Sequence, residues 1–120
     1  MIYTFSGELA PNAAQFYQYG PLERSYTIER CVVHFPSGSD FELQVYPVYA
    51  STSATGGSTT DLRPYGATYL LRGDSYLCGD DVRLPVQVRH LAPSGVWIGY
   101  LAVNTSATEV HAFSAIMELV

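Results

Sequence analysis

Charged residues are scarce in this sequence, and one type is missing altogether. Only 14% of the 120 residues are charged, and all six basic residues are arginines, so lysine is absent. Phosphate-binding loops of the Gly-x-x-x-x-Gly-Lys type are therefore excluded. Acidic residues outnumber basic ones by 11 to 6, which gives a formal net charge of −5. This excess argues against binding to a phosphate backbone, so we expect no nucleic-acid partner.

The chain also lacks segments that would direct it into a membrane. Residues 1–8 contain neither a basic region nor a long apolar one, so they do not resemble a secretory signal. The longest apolar run, residues 96–103, is much shorter than the roughly 20 residues that a membrane-spanning helix needs. The sequence therefore predicts a soluble protein with no membrane partner.

Cysteine is nearly absent. Cys31 and Cys78 are the only two, and their positions do not reveal whether they meet in the fold. Two separate thiols are favoured over a disulfide, because intracellular chains usually stay reduced. The disulfide stays open as the less favoured alternative.

The familiar catalytic and metal-binding motifs are missing as well. No Gly-x-Ser-x-Gly motif provides a nucleophile on a strained turn. His34, His90 and His111 are far apart in sequence and no His-x-His pair occurs, so we expect these histidines at strand ends or against the core. The sequence predicts no enzymatic activity, no metal and no cofactor.

Three short polar segments are more simply explained as turns than as sites. The Arg-Gly-Asp tripeptide at 72–74 matches an integrin-recognition motif, but Gly73 fits a tight turn that needs unusual backbone angles. Residues 104–106 match the glycosylation pattern and are also expected to form a turn. The acidic residues near Gly73 lack the spacing of a calcium loop and are expected to be solvated; they are Asp74, Asp80 and Asp81.

Residues that form turns and strands are abundant. Gly, Pro, Asn and Asp recur at short intervals, and the runs between them are rich in Tyr, Val, Ile, Phe and Thr. No segment shows helical spacing long enough for a full helix. The sequence therefore predicts an all-β domain with strands at 2–8, 14–19, 25–35, 41–49, 67–72, 82–90, 96–104 and 109–119.

Two of these runs indicate how the strands are arranged. Residues 82–90 alternate between apolar and polar side chains, so one face of this strand is in water, and Pro85 indicates a sheet edge or a bulge. Residues 96–103 are apolar on both faces, which is typical of a central, covered strand. Since a single sheet cannot hide both faces, a two-sheet sandwich or a small barrel follows. We expect one domain over residues 1–120, with 1–22 a possible extended amino-terminal arm and 51–61 a flexible loop.

Tyrosine is the most informative excess, with ten copies. Tyrosine is favoured in sheets, and it is also enriched where proteins contact one another. Phe16, Tyr17 and Tyr19 lie in a segment bounded by Pro and Gly, and we predict that they anchor onto another chain. Trp97 and Tyr100 are predicted to be core or subunit-contact residues.

The order of segments resembles a known class of protein. A segment bounded by Gly and Pro (7–11) comes first, followed by a long strand (26–35) and a Phe-x-Leu-x-Val strand (41–45). After the polar loop come residues 82–88, the Gly-Val-Trp-Ile-Gly-Tyr segment (95–100) and an apolar last strand. This pattern is similar to the small jelly-roll decoration, or cement, proteins that tailed bacteriophages fix to the outside of their capsids.

The resemblance implies a non-enzymatic virion protein with a jelly-roll-like two-sheet sandwich of about eight strands. It implies assembly in the host cytoplasm, a place on the capsid surface, and contacts with the major capsid protein as a homodimer or homotrimer. Three alternatives stay open. They are a carbohydrate- or ligand-binding β-sandwich module, a small single jelly-roll coat protein, and an enzyme with a scattered site.

Overall fold

The β-forming runs become strands in the computed structural model, which describes residues 1–51, 57–58 and 67–120. Those residues contain nine strands and no helix beyond a single 3-10 turn at Arg72–Asp74. The all-β prediction is confirmed, and the short strand β5 is the one that the sequence did not indicate. The strands are β1 (Ile2–Leu9), β2 (Ala13–Tyr19), β3 (Tyr26–Phe35), β4 (Leu43–Ala50), β5 (Gly57–Ser58), β6 (Thr68–Tyr69), β7 (Val82–Ala92), β8 (Trp97–Asn104) and β9 (His111–Leu119).

The strands form two antiparallel sheets with the nested connections of a jelly roll. A four-stranded sheet has the order β1-β9-β3-β7, and a five-stranded sheet has the order β5-β2-β8-β4-β6. Apart from β5, the strands pair from the two ends of the chain inward. β1 pairs with β9, β2 with β8, β3 with β7, and β4 with β6. This nesting defines the double Greek key, so the jelly-roll sandwich is confirmed.

The amino-terminal segment belongs to the sheets, and the extended arm suggested for residues 1–22 is wrong. Strand β1 pairs with β9 along its whole length, and β2 pairs with β8. Pro11 and Asn12 form the turn between them, in which Asn12 adopts a positive φ of 58° and its amide donates to the carbonyl oxygen of Ser106 at 2.9 Å. The Pro/Gly boundaries therefore mark a crossing from one sheet to the other.

The core lies between the two sheets and follows from strand alternation. Along β9, every second side chain from His111 to Leu119 points inward and is buried. The inward side chains of β3 and β8 meet this row, with Ile28, Val33, Ile98 and Tyr100 essentially inaccessible to solvent. The facing sides of the two sheets thus form the apolar core, as the sequence pattern predicts.

Strands β7 and β8 occupy the predicted positions. β8 is the central strand of its sheet, and β7 is an edge strand with one face in solvent. Pro85 is tolerated there because an edge strand is paired on one side only. The bulge in this strand lies elsewhere: β7 has an extra residue opposite Glu29, where Arg89 has a φ of 52°.

The remaining sequence predictions about local structure have mixed outcomes. Both cysteines are free, and burial raises the pKa of Cys31 to about 11. Gly73 sits in the tight turn with a φ of 68°, as predicted. The flexible loop predicted over 51–61 lies outside the described residues except for Ser51 and β5, which pairs with β2. None of the described helical segments is long and apolar enough to cross a membrane.

Candidate contact surface

Phe16, predicted to anchor onto another chain, is buried inside the chain, so the prediction is wrong for it, whereas Tyr100, predicted as a core or subunit-contact residue, lies in the core. Phe16 is 1% exposed and packs on the outer face of the five-stranded sheet with Val48 and Leu101. Tyr100 is fully buried between the sheets, where its hydroxyl donates to the carbonyl oxygen of Ile116. Burial raises the pKa of Tyr100 far above its usual value. Alternation in the sequence identifies the two faces of a strand, but it does not show that the outer face is covered too.

Tyr17 and Trp97 are half-buried and serve mainly to pack the sandwich. The Tyr17 ring lies over Gly7, where a Cβ atom would come within 2.1 Å of the ring carbon Cζ. It meets Phe113 edge to face, with ring centres 5.2 Å apart. Burial raises the pKa of Tyr17. Trp97 packs against the apolar cluster around Phe16.

Tyr19 is the predicted contact residue that does reach solvent. Its side chain is 46% exposed, and its ring stacks on Tyr3 with the ring centres 4.1 Å apart and the planes tilted by 31°. The pKa of Tyr3 is raised to about 12, first by desolvation and then by its hydrogen bond with Tyr19. Tyr26 lies close enough to contribute to the same shift. We call these three residues the tyrosine cluster.

A charged pair borders the tyrosine cluster. The Tyr26 hydroxyl donates a hydrogen bond to Oε1 of Glu23, and this bond is the main cause of the lowered pKa of that carboxyl group. The Arg24 guanidinium carbon lies 4.0 Å from the centre of the Tyr26 ring, in the geometry of a cation–π contact. Tyr26 itself is buried, so its two exposed neighbours place one negative and one positive group at the surface beside the tyrosine cluster.

Exposed aliphatic side chains gather at the same end of the sandwich. Thr27 of β3 exchanges two backbone hydrogen bonds of 2.9 Å with Val120 and is paired with Leu91 of β7. The backbone of Met1 is bonded to Leu119, next to Val120. Leu91 and Val120 therefore lie on the outer face of the four-stranded sheet, with Ile2 on the same face of β1, whereas Met1 pairs with the inward-facing Leu119. We call these exposed side chains at one end of the sheet the end patch; its members are Met1, Ile2, Leu91 and Val120, each at least 57% exposed.

Sequence reasoning missed the end patch, although one signal for it was present. Leu91 lies on the same solvent-facing side of β7 as Arg83, Gln87 and Arg89. Extending the alternation of residues 82–90 by one position would have placed an apolar side chain on a wet face. The other members become neighbours through pairing of β1, β9 and β3, which single-strand patterns do not reveal.

Comparison with known proteins identifies the class of fold. No family model matches the chain, and no curated protein matches it by sequence. The crystal structure of the Yersinia pseudotuberculosis-derived mitogen is similar over 98% of this chain and 84% of that one, with a TM-score of 0.52 and 11% identity. At this identity the likeness shows the fold alone: a jelly-roll β-sandwich.

Two structures of infectious bursal disease virus are more distant. The Gt strain structure gives a TM-score of 0.40 at 9% identity, and the Gx strain structure gives 0.37 at 13%. This chain is covered to 98% in both, but it spans about a third of the virus chains. At these scores the two structures add nothing to the assignment of the fold.

Proposed function

We propose that this chain is a non-enzymatic virion structural protein, which decorates a capsid and holds neighbouring shell subunits together. The observation that supports this is the end patch beside the tyrosine cluster. Four large exposed apolar side chains at one end of the sandwich, together with the exposed Tyr19 ring at the same end, provide apolar surface that gains free energy when another protein covers it. A jelly-roll sandwich presents such a surface on a rigid framework.

The arrangement around the patch suits a protein partner. Interfaces combine an apolar, aromatic centre with a polar rim, and Glu23 and Arg24 provide charged groups at that rim. The partners in this proposal are the major capsid protein and sister copies in a homodimer or homotrimer. Because each shell has many equivalent positions, a modest contact per copy adds up over the closed lattice.

The direct test is to look for the chain in virions. Particles purified from the source cells would be labelled with an antibody against this chain and viewed by electron microscopy, with mass spectrometry of the same particles. We expect label on the capsid surface. A chain that is abundant in the cells but missing from every purified particle contradicts the proposal.

The end patch can be tested with matched variants. Leu91→Ser and Ile2→Ser remove apolar surface from the patch, whereas Val110→Ser makes the same kind of change at an exposed site far from it. We expect at least about a tenfold loss of shell affinity for the patch variants. Light scattering after size exclusion should show reduced oligomerisation in the same two variants. If Val110→Ser weakens binding as much, the patch is not the contact surface.

A carbohydrate-binding module is the second candidate, and the exposed Tyr19 ring favours it. An aromatic ring that is held in place by Tyr3 could stack on the face of a sugar. A glycan array with the wild-type chain and Tyr19→Ala separates the two functions. Binding to a glycan that is lost in Tyr19→Ala would favour the module, and no binding would favour decoration. A shell built from this chain alone would instead identify a small coat protein.

A further inference from the structure

One buried histidine and two carboxylates meet at the end of the sandwich that lies opposite the end patch. His111 begins β9, Glu42 immediately precedes β4, and Glu109 lies two residues before His111. Nε2 of His111 is 3.0 Å from Oε1 of Glu42. One donor atom from each of the three side chains lies within 4.8 Å of the other two. His111 is 5% exposed, whereas Glu42 is partly exposed and Glu109 is exposed.

One short segment holds the backbone of both glutamates. The amide and hydroxyl groups of Thr105 donate to the carbonyl oxygen of Glu42 at 2.8 and 2.7 Å. The side-chain amide of Asn104 donates to the carbonyl oxygen of Glu109 at 2.9 Å, and Ser106 Oγ accepts from the Glu109 amide at 3.0 Å. The backbones of both glutamates are therefore held in place near His111, which is the support that a ligand site needs.

Among the residues that the structure describes, no arginine balances the charges of Glu42 and Glu109. Within residues 1–51 and 67–120, arginine ion pairs occur between Arg30 and Glu118 and between Arg89 and Glu29, and none reaches Glu42 or Glu109. His111 is the only partner of the Glu42 carboxylate among the ion pairs of this part of the chain. Two carboxylates that are held this close repel each other, and a cation between them would remove the repulsion.

We infer that His111, Glu42 and Glu109 form a binding site for a divalent first-row transition-metal ion, with Zn²⁺ the best fit. Imidazole nitrogen and carboxylate oxygen are ligands that Zn²⁺ binds at about 2.0–2.2 Å. Such bonds place ligand atoms roughly 3–3.6 Å apart, so an adjustment of the exposed Glu109 side chain is enough to close the site. Ca²⁺ fits less well, because it prefers six to eight oxygen ligands.

This site differs from the sequence prediction, which found no metal motif. The histidines are indeed far apart in sequence, but the fold brings His111 at the start of β9 close to the segment before β4. Glu42 comes from that segment, and Glu109 comes from the loop that precedes β9. Three protein ligands leave at least one coordination position for water or for a group from another molecule. Because Glu109 is exposed, that position is open to solvent.

The test is calorimetric titration of the metal-stripped chain with ZnCl₂, comparing the wild type with Glu109→Gln and Glu42→Gln. Glu109 is exposed and its backbone contacts do not need the carboxylate, so Glu109→Gln should keep the fold. We expect one Zn²⁺ per chain and at least about tenfold weaker binding in each variant. Co²⁺ should give visible absorption bands in the wild type that are lost in Glu109→Gln.

Matched controls distinguish this site from adventitious binding. Glu8→Gln makes the same chemical change on the exposed side of β1, and His34→Gln removes an exposed histidine on β3. Both should bind Zn²⁺ like the wild type, and MgCl₂ in place of ZnCl₂ should give no saturable heat. The inference is overturned if the wild type does not bind Zn²⁺, if Glu109→Gln and Glu42→Gln both bind it normally, or if His34→Gln abolishes binding.

Discussion

The two ends of the sandwich are closed by different chemistry. At one end, the side-chain amide of Asn104 donates to the carbonyl oxygens of Leu9, Ala10 and Glu109, and its oxygen accepts from the Ser106 amide. At the other end, stacked tyrosine rings and exposed aliphatic side chains take the place of such a network. A hydrogen-bond network that is satisfied within the chain needs no partner, whereas exposed apolar side chains gain stability when a partner covers them. The proposed protein contact is therefore assigned to the apolar end.

Breaking the polar end should have the largest effect. Asn104→Ala removes the side-chain partner of three carbonyl groups and one amide, of which the Ala10 carbonyl keeps the Ala13 amide as a donor, and Asn104 is fully buried. We expect the free energy of unfolding to fall by about 3 kcal/mol or more, measured by urea denaturation. Gln87→Ala, which removes an exposed amide on β7, should change it by less than about 0.5 kcal/mol. Similar losses in the two variants would show that the network does not hold this end.

Removing a ring from the aromatic end should have a smaller effect. Tyr19→Ala eliminates the stack on Tyr3, and aromatic pairs of this kind contribute about 0.5–1.5 kcal/mol beyond their buried area. We expect a loss of about 1 kcal/mol in urea denaturation. Phe41→Ala is the matched control, because Phe41 is a 65% exposed ring at the polar end. An equal loss for Phe41→Ala would mean that the stack adds no stability.

The smallest expected effect is a change in pH dependence at the aromatic end. The Tyr26 hydroxyl lowers the pKa of Glu23 below its ordinary value of 4.5, so this interaction stabilises the fold above that pH and is lost as the pH falls through the lowered pKa. Melting temperatures of Glu23→Gln and Tyr26→Phe should therefore fall less steeply than those of the wild type on acidification below about pH 5. Tyr76→Phe, at an exposed tyrosine, should follow the wild type. Parallel curves for all four proteins would contradict the role of this hydrogen bond.

The fold could be predicted from the sequence because the alternation of apolar and polar residues along a strand follows which of its faces is buried. Residues 82–90 alternate and form an edge strand, and residues 96–103 are apolar on both faces and form the central strand. The extended arm predicted over residues 1–22 is wrong, because the Pro and Gly residues of this segment mark turns between the two sheets. A turn between two sheets has the same residues as a turn in an arm, and only pairing with distant strands distinguishes them.

The candidate sites were less predictable, because both depend on contacts between residues that are distant in sequence. Phe16 is predicted at a contact surface, yet it is covered by neighbours from other strands. The end patch joins Ile2 to Leu91 and Val120 through strand pairing. Likewise, Glu42 and His111 are 69 residues apart and meet only because β4 and β9 start at the same end.

The pairing of β1 with β9 also bears on how the protein folds during synthesis. Ribosomes make β9 after all the other described strands, so β1 and β3 must wait for the neighbour that separates them in the finished sheet. Until then, the inward side chains of β1 and β3 face water or a chaperone, and the nascent chain presents unpaired strand edges. Expression at low temperature or with chaperones should therefore raise the soluble yield, and truncation before residue 111 should leave an aggregating chain.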